Sequence, residues 1–162
     1  MASRTAQTSV SLLTDPRTTK PAGLEDREAP MNREHTEQLI SRYGGSIPVR
    51  SRWTYRTAEP FTVTAAFQTD NDSWVEWVFA RDLLMAGLTA PAGEGDVRFR
   101  PGEEDGARVL LVEIESPDGH AVLVMDHADV AGFAAATAAL VAVGEEGDYF
   151  DVDALIAEIT NV

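Results

Sequence analysis

Residues 74–84 read WVEWVFARDLL, and a change of period inside this stretch decides the fold. Val75, Trp77 and Phe79 repeat at a spacing of two, while Trp74 and Glu76 begin the opposite side, so the segment starts as a strand. Beyond Phe79 the spacing lengthens. Leu83, Leu84 and Leu88, with Met85, fit a short helical turn stopped by Gly87 and Pro91. Glu76 and Asp82 could be posed as an acid/base pair, but one lies mid-strand and the other opens a helix beside Arg81. Ion pairing and helix-dipole stabilisation at a strand-to-helix junction account for these charges without a substrate.

Upstream, FTVTAAF (61–67) alternates Phe61, Val63, Ala65 and Phe67 against Thr62 and Thr64. The turn cluster QTDNDS then joins it to 74–79 as a hairpin. SIPVRSRWTY precedes the Glu59-Pro60 turn, and its Pro48 points to extended chain or an edge strand. EHTEQLISRY reads either as a short amphipathic helix or as an irregular strand, ended by Gly44-Gly45. Residues 1–32 have no apolar periodicity and are rich in Thr, Ser, Pro and charge, so they are expected to be a disordered leader to a single folded unit over 33–162. Met31, at the leader's end, offers an alternative start.

Downstream, DVRFRP (96–101) is a short strand after the loop APAGEGD. ARVLLVEIES (107–116) and HAVLVMD (120–126) are two strands joined by Ser116-Pro117-Asp118-Gly119, a strong turn signal. The period then becomes helical, with Val130, Phe133, Ala134, Thr137, Leu140 and Val141 on one face, Asp126 as cap and Gly144 as stop. A last helix, 151–160, begins at Asp151 and presents Leu155, Ile156 and Ile159. Adjacent hairpins without βαβ crossovers define an α+β domain of antiparallel β-sheets with one short and two C-terminal helices.

Composition narrows function. The 162 residues carry a net charge of −14 and no cysteine, which removes disulfides, thiol nucleophiles and Cys-type zinc sites. No apolar run approaches the ~20 residues that span a bilayer. The N-terminus lacks the apolar stretch of a signal peptide, so a cytoplasmic protein is expected without membrane insertion. His35, His120 and His127 have no zinc spacing. Asp70-Asn71-Asp72 lacks the Gly and final Glu of a calcium loop. GEGD (93–96) is no phosphate loop, no Ser sits in a nucleophile elbow, and the acidic clusters around 94, 104 and 146 read as solvated loops. The expectation is a non-enzyme with no catalytic residue, metal or cofactor.

The acids are unevenly spread: residues 101–162 hold fourteen against Arg108 alone. Such a body repels phosphate backbones. The exception is 39–58, free of acids, where Arg50, Arg52, Trp53, Tyr55 and Arg56 form the candidate partner-binding group. Arg with aromatics suits stacking on single-stranded nucleic acid and equally suits protein contact; the surrounding acidity favours protein. Large apolar residues on both faces of 74–79 (Trp74 and Val78 against Trp77 and Phe79) further predict self-association.

VEWVFARDLL with Gly87-Leu88, then GEGDVRFRP, then ESPDGHAVL, resembles the SsgA-like family, sporulation and cell-division regulators of filamentous actinobacteria. Ile47-Pro48-Val49, the Tyr55 to Pro60-Phe61 entry, Phe133 with Thr137, and Gly144-Glu145 before Asp151-Val152-Asp153 extend the likeness over 47–160. The resemblance implies a barrel-like fold similar to Whirly-type single-stranded DNA binders, a homotrimer, and an adaptor role at division septa. The partners it implies are the tubulin-like division protein FtsZ, an SsgA-like paralogue or cell-wall remodelling enzymes. The Whirly likeness keeps single-stranded nucleic-acid binding as the rival function, although fold alone does not carry function.

Overall fold

The computed structural model describes residues 31–161. The leader expected over 1–32 lies outside these residues except for Met31 and Asn32. Just before the first strand, Arg33 N–H donates to Thr57 Oγ1 at 2.7 Å and the Thr57 hydroxyl donates to the Met31 carbonyl at 3.3 Å.

Seven strands run β1 (Glu34–Tyr43), β2 (Ile47–Arg56), β3 (Thr62–Gln68), β4 (Trp74–Ala80), β5 (Val97–Glu104), β6 (Ala107–Ser116) and β7 (Gly119–Asp126). Helix α1 (Arg81–Gly87) follows β4 directly, and α2 (His127–Leu140) follows β7. A single 3-10 turn (Glu146–Tyr149) leads to α3 (Val152–Thr160). The strand-to-helix switch read in 74–84 therefore falls between Ala80 and Arg81.

All seven strands form one antiparallel sheet in the order β4-β3-β2-β1-β7-β6-β5. The several sheets expected are one, and it is not a closed barrel: among the described residues no ladder joins the edge strands β4 and β5. It is nonetheless strongly curled. Six interstrand spacings of about 4.8 Å would separate the edges by ~29 Å if the sheet were flat. Instead the rings of Phe79 on β4 and Phe99 on β5 lie 5.1 Å apart, edge to face. Helix α1 closes the seam, packing so tightly that a Cβ on Gly87 would stand 2.2 Å from Phe99 Cβ. Gly87 is thus the last residue of α1 and a close-approach site. It is not a left-handed stop: its φ is not positive, and Leu88 caps the helix in the right-handed region.

EHTEQLISRY resolves into a regular strand, paired residue for residue with β2 from Glu34↔Arg56 to Tyr43↔Ile47. Its period was hidden because the inward positions carry His35, Glu37 and Ser41 around Leu39, while Ile40 faces solvent. Ser41 Oγ donates to the Val49 carbonyl, so a small polar residue is tolerated in the interior. Pro48 lies in an inner strand of the sheet, which corrects the edge reading. β3 pairs with β2 only from Ser51 to Thr54, so Pro48 meets no partner on that side.

The core fills the concave face. Trp53 is fully buried among Phe67, Phe79 and Phe133 at ring distances of 5.7–6.4 Å, and its Nε1–H donates to Ser51 Oγ at 3.0 Å. Helix α2 covers one end of this face with Val130, Phe133, Ala134 and Thr137, as its period predicts. Asp126 caps it by accepting from Asp129 N–H at 3.0 Å. Asp151 caps α3 in the same way, yet no residue of α3 is buried.

Candidate functional site: the outer face of β1–β4

Strand β2 alternates, and the alternation divides the group singled out in 39–58. Trp53 and Tyr55 point inward and are 0% and 1% exposed, whereas Arg50, Arg52 and Arg56 point outward into solvent. The two aromatics are therefore core residues, and neither can stack on a ligand while the domain is folded. Tyr55 holds its hydroxyl to the Pro60 carbonyl at 2.9 Å, and burial raises its phenol above the ordinary range. The parity was present in the sequence: even positions carry Arg, odd positions carry the rings.

The residue missed on the exposed side is Trp74. It opens β4, and the Arg52 guanidinium lies 4.6 Å over its ring, a cation–π arrangement that pre-orders both. Ile40 stands opposite Arg50 across the β1–β2 ladder, and Val78 opposite Thr64 across β3–β4. Both are largely exposed, Val78 at 63%. The outer face of β1–β4 thus gathers arginine, tryptophan and β-branched side chains on one rigid surface. At its margin Arg56 Nε donates to Glu34 Oε2 at 2.6 Å, which holds the Glu34 carboxyl below its usual range. Among the described residues, neither Arg50 nor Arg52 is paired with a carboxylate.

Of the charges at the strand-to-helix junction Arg81 is architectural, but its partner is not local. Arg81 is 1% exposed and pairs with neither Glu76 nor Asp82. Its guanidinium donates to the carbonyls of Thr137 at 3.2 Å and Val141 at 2.7 Å, and to Glu146 Oε1 at 2.6 Å. The face of Tyr55 lies 5.0 Å away. Glu146, read above as part of a solvated loop, is buried and also accepts the Gly144 N–H at 2.8 Å. The Arg81 hydrogen bond and these backbone donors hold its carboxyl below the ordinary range. One cation thereby satisfies the C-terminal carbonyls of α2 and locks α1, α2 and the 3-10 turn together.

Asp70-Asn71-Asp72 forms the β3–β4 turn, with Asp72 at φ 60°. Among the described residues no three His, Asp or Glu side chains gather as metal ligands. His127 Nε2 lies 2.7 Å from the Leu88 carbonyl, tying α2 to α1. No helix among the described residues is long and apolar enough to cross a membrane.

A family model described as "Streptomyces sporulation and cell division protein, SsgA" matches residues 49–146. The chain is 43% identical over 115 residues to the sporulation-specific cell division protein SsgB of Saccharopolyspora erythraea, covering 71% of this chain and 81% of that one. A solved chain from work on mutations in SsgB that correlate to longitudinal cell division during sporulation of Streptomyces coelicolor superposes with a TM-score of 0.71. It shares 39% identity and covers 74% of this chain and 98% of its own. An SsgA-like sporulation-specific cell division protein from Thermobifida fusca also superposes with a TM-score of 0.71, at 34% identity over 78% of this chain and 96% of its own.

Proposed function

The chain belongs to the SsgA family of sporulation and cell division proteins, and from that premise we propose that it is a non-enzymatic adaptor of sporulation-specific division. It acts in the cytoplasm at septa, holding a division or cell-wall protein through the outer face of β1–β4. FtsZ is the first partner to test, ahead of an SsgA-like paralogue or a wall-remodelling enzyme. The observation that carries this reading is Arg50 and Arg52, without a carboxylate partner among the described residues, beside Trp74, Ile40 and Val78 on a chain of net charge −14. Arg and Trp are the side chains most often found as interface anchors. Stacking on single-stranded nucleic acid loses its two best platforms, because Trp53 and Tyr55 are inside, and Trp74 is already covered by Arg52.

Purified FtsZ is expected to bind the wild type in a biosensor assay. Arg52→Ala and Trp74→Ala should each weaken it by about tenfold or more, the loss typical of a central anchor. Binding at full strength by both variants would remove the outer face from the account. A dT-rich oligonucleotide should bind weakly at physiological salt. Tight binding that falls steeply with salt, and is lost in Arg52→Ala, would instead support the nucleic-acid reading.

Self-association belongs to the same proposal. A nine-residue helix with no buried side chain is not stable alone, and α3 exposes Val152, Leu155, Ile156 and Ile159, the last at 64%. The pair Phe61 and Phe150, with rings 6.0 Å apart, adds two more exposed aromatics. A second and third copy covering these residues as a homotrimer accounts for them. Sedimentation of the wild type at micromolar concentration should give a trimer, and Ile156→Asp with Ile159→Asp should give a folded monomer. A monomeric wild type would refute the trimer.

A further inference from the structure

Helix α2 covers one end of the concave face, and the other end is open. There Tyr43, Val49, Phe67, Trp77, Ile114 and Leu123 surround a cavity of about 450 Å³. Each has the inward parity of its strand, so the cavity continues the core beyond Trp53 as a layer the described residues leave unfilled. Ile47, beside it, is largely exposed. The β3–β4 and β6–β7 turns rise over the opening and bring Asp70 and Asp118 to the rim beside His120 of β7, and among the described residues no Lys or Arg lines it.

We propose that this cavity is a second docking site, whose occupant is an apolar anchor, Phe or Leu, of a partner protein segment flanked by Lys or Arg. The size lies within the range of binding pockets and admits a large aromatic side chain with an aliphatic neighbour. The wall is apolar, so the anchor is released from water on entry. Charge selects the flanks: two carboxylates at the rim of a chain of net charge −14 attract a basic segment and repel an acidic one. The outer face of β1–β4 leans the other way, carrying Arg50, Arg52 and Arg56 against Glu34 and Glu76. An adaptor with two surfaces of opposite sign can hold two different partners at once. The inference stands on the cavity and does not depend on the outer-face reading.

The test uses the full chain and the heptapeptide acetyl-Lys-Arg-Phe-Leu-Phe-Arg-Lys-amide, followed by NMR at the Trp77 indole and the methyls of Val49, Ile114 and Leu123. Saturable shifts at these groups are expected. Replacing the basic flanks by Glu and Asp should weaken binding about tenfold, and Asp70→Asn with Asp118→Asn about threefold. Ile47→Asp, a change at an exposed position that leaves the core intact, should weaken it about tenfold. Arg52→Ala and Trp74→Ala should leave it unchanged, which separates this site from the outer face. The proposal is overturned if no saturable shift appears up to millimolar peptide, if the acidic peptide binds as well, or if the shifts map to Arg52 and Trp74. Decanoate binding in the cavity more tightly than the peptide would also overturn it, marking a small-ligand pocket.

Discussion

Arg81→Ala should cost the domain about 3–5 kcal/mol, the range found when one partner of a buried ion pair is removed. The side chain is inaccessible to solvent, and its loss strips hydrogen bonds from the Thr137 and Val141 carbonyls while leaving the Glu146 carboxylate buried without its cation. Urea melts at pH 7 measure it, and a loss below about 1 kcal/mol, the value of a surface pair, would show that the network is not structural. Adding Glu146→Leu to Arg81→Ala should recover part of the loss, because the orphaned charge goes with it. The pair also gives stability a pH dependence. The Glu146 carboxyl titrates below its ordinary value in the folded state. Its contribution is therefore present above the unfolded value, near ~4.3, and is lost as pH falls through the folded value. Glu146→Gln should lower stability at pH 7 and flatten this acid limb. A limb as steep as the wild type's would place the titration elsewhere.

Gly87→Ala is the second large effect, and here helix propensity and packing oppose each other. In an exposed helix the change would gain about 1 kcal/mol. At this position the new methyl would lie 2.2 Å from Phe99 Cβ and 3.0 Å from its Cγ. Neither α1 nor β5 can yield without opening the seam where Phe79 meets Phe99. The clash should outweigh the propensity gain and leave a net loss of about 1–3 kcal/mol. Thermal melting of the single variant measures it. A melting temperature at or above the wild type's would mean that the seam is loose.

What could be read from the chain was what its local spacing encodes. β3, β4, β6 and β7 each carry their own alternation or turn and match the sequence reading within a residue or two, as does the Asp126 cap of α2; that helix ends at Leu140 with Val141 as its C-cap, short of the Gly144 stop. β1 stayed open between a short helix and an irregular strand, because its inward side is mostly polar and its Ile40 points out, which inverts the usual pattern. The union of all strands in one sheet was equally hidden, since it depends on β1 meeting β7 through Ser41–Tyr43 and Leu123–Met125, about eighty residues apart in sequence. Arg81 drew attention beside Asp82, but its partner Glu146 lies 65 residues away and no local rule finds it. The candidate site divided differently. Arg50, Arg52 and Arg56 were found by composition, while the burial of Trp53 and Tyr55 follows from the alternation of one strand and could have been read. Trp74 joins them only through the β2–β3–β4 pairing.

The central claim is that a protein partner is held on the outer face of β1–β4 during sporulation, and a crosslinked pull-down from sporulating cells of the native host tests it most directly. Wild type and the Arg50→Glu/Arg52→Glu variant would be compared with and without nuclease, after circular dichroism shows that the variant is folded. The account predicts that FtsZ, a paralogue or a wall enzyme is recovered with the wild type, survives nuclease, and is lost with the variant. Recovery of the same proteins with the variant, or recovery that vanishes with nuclease, would contradict it.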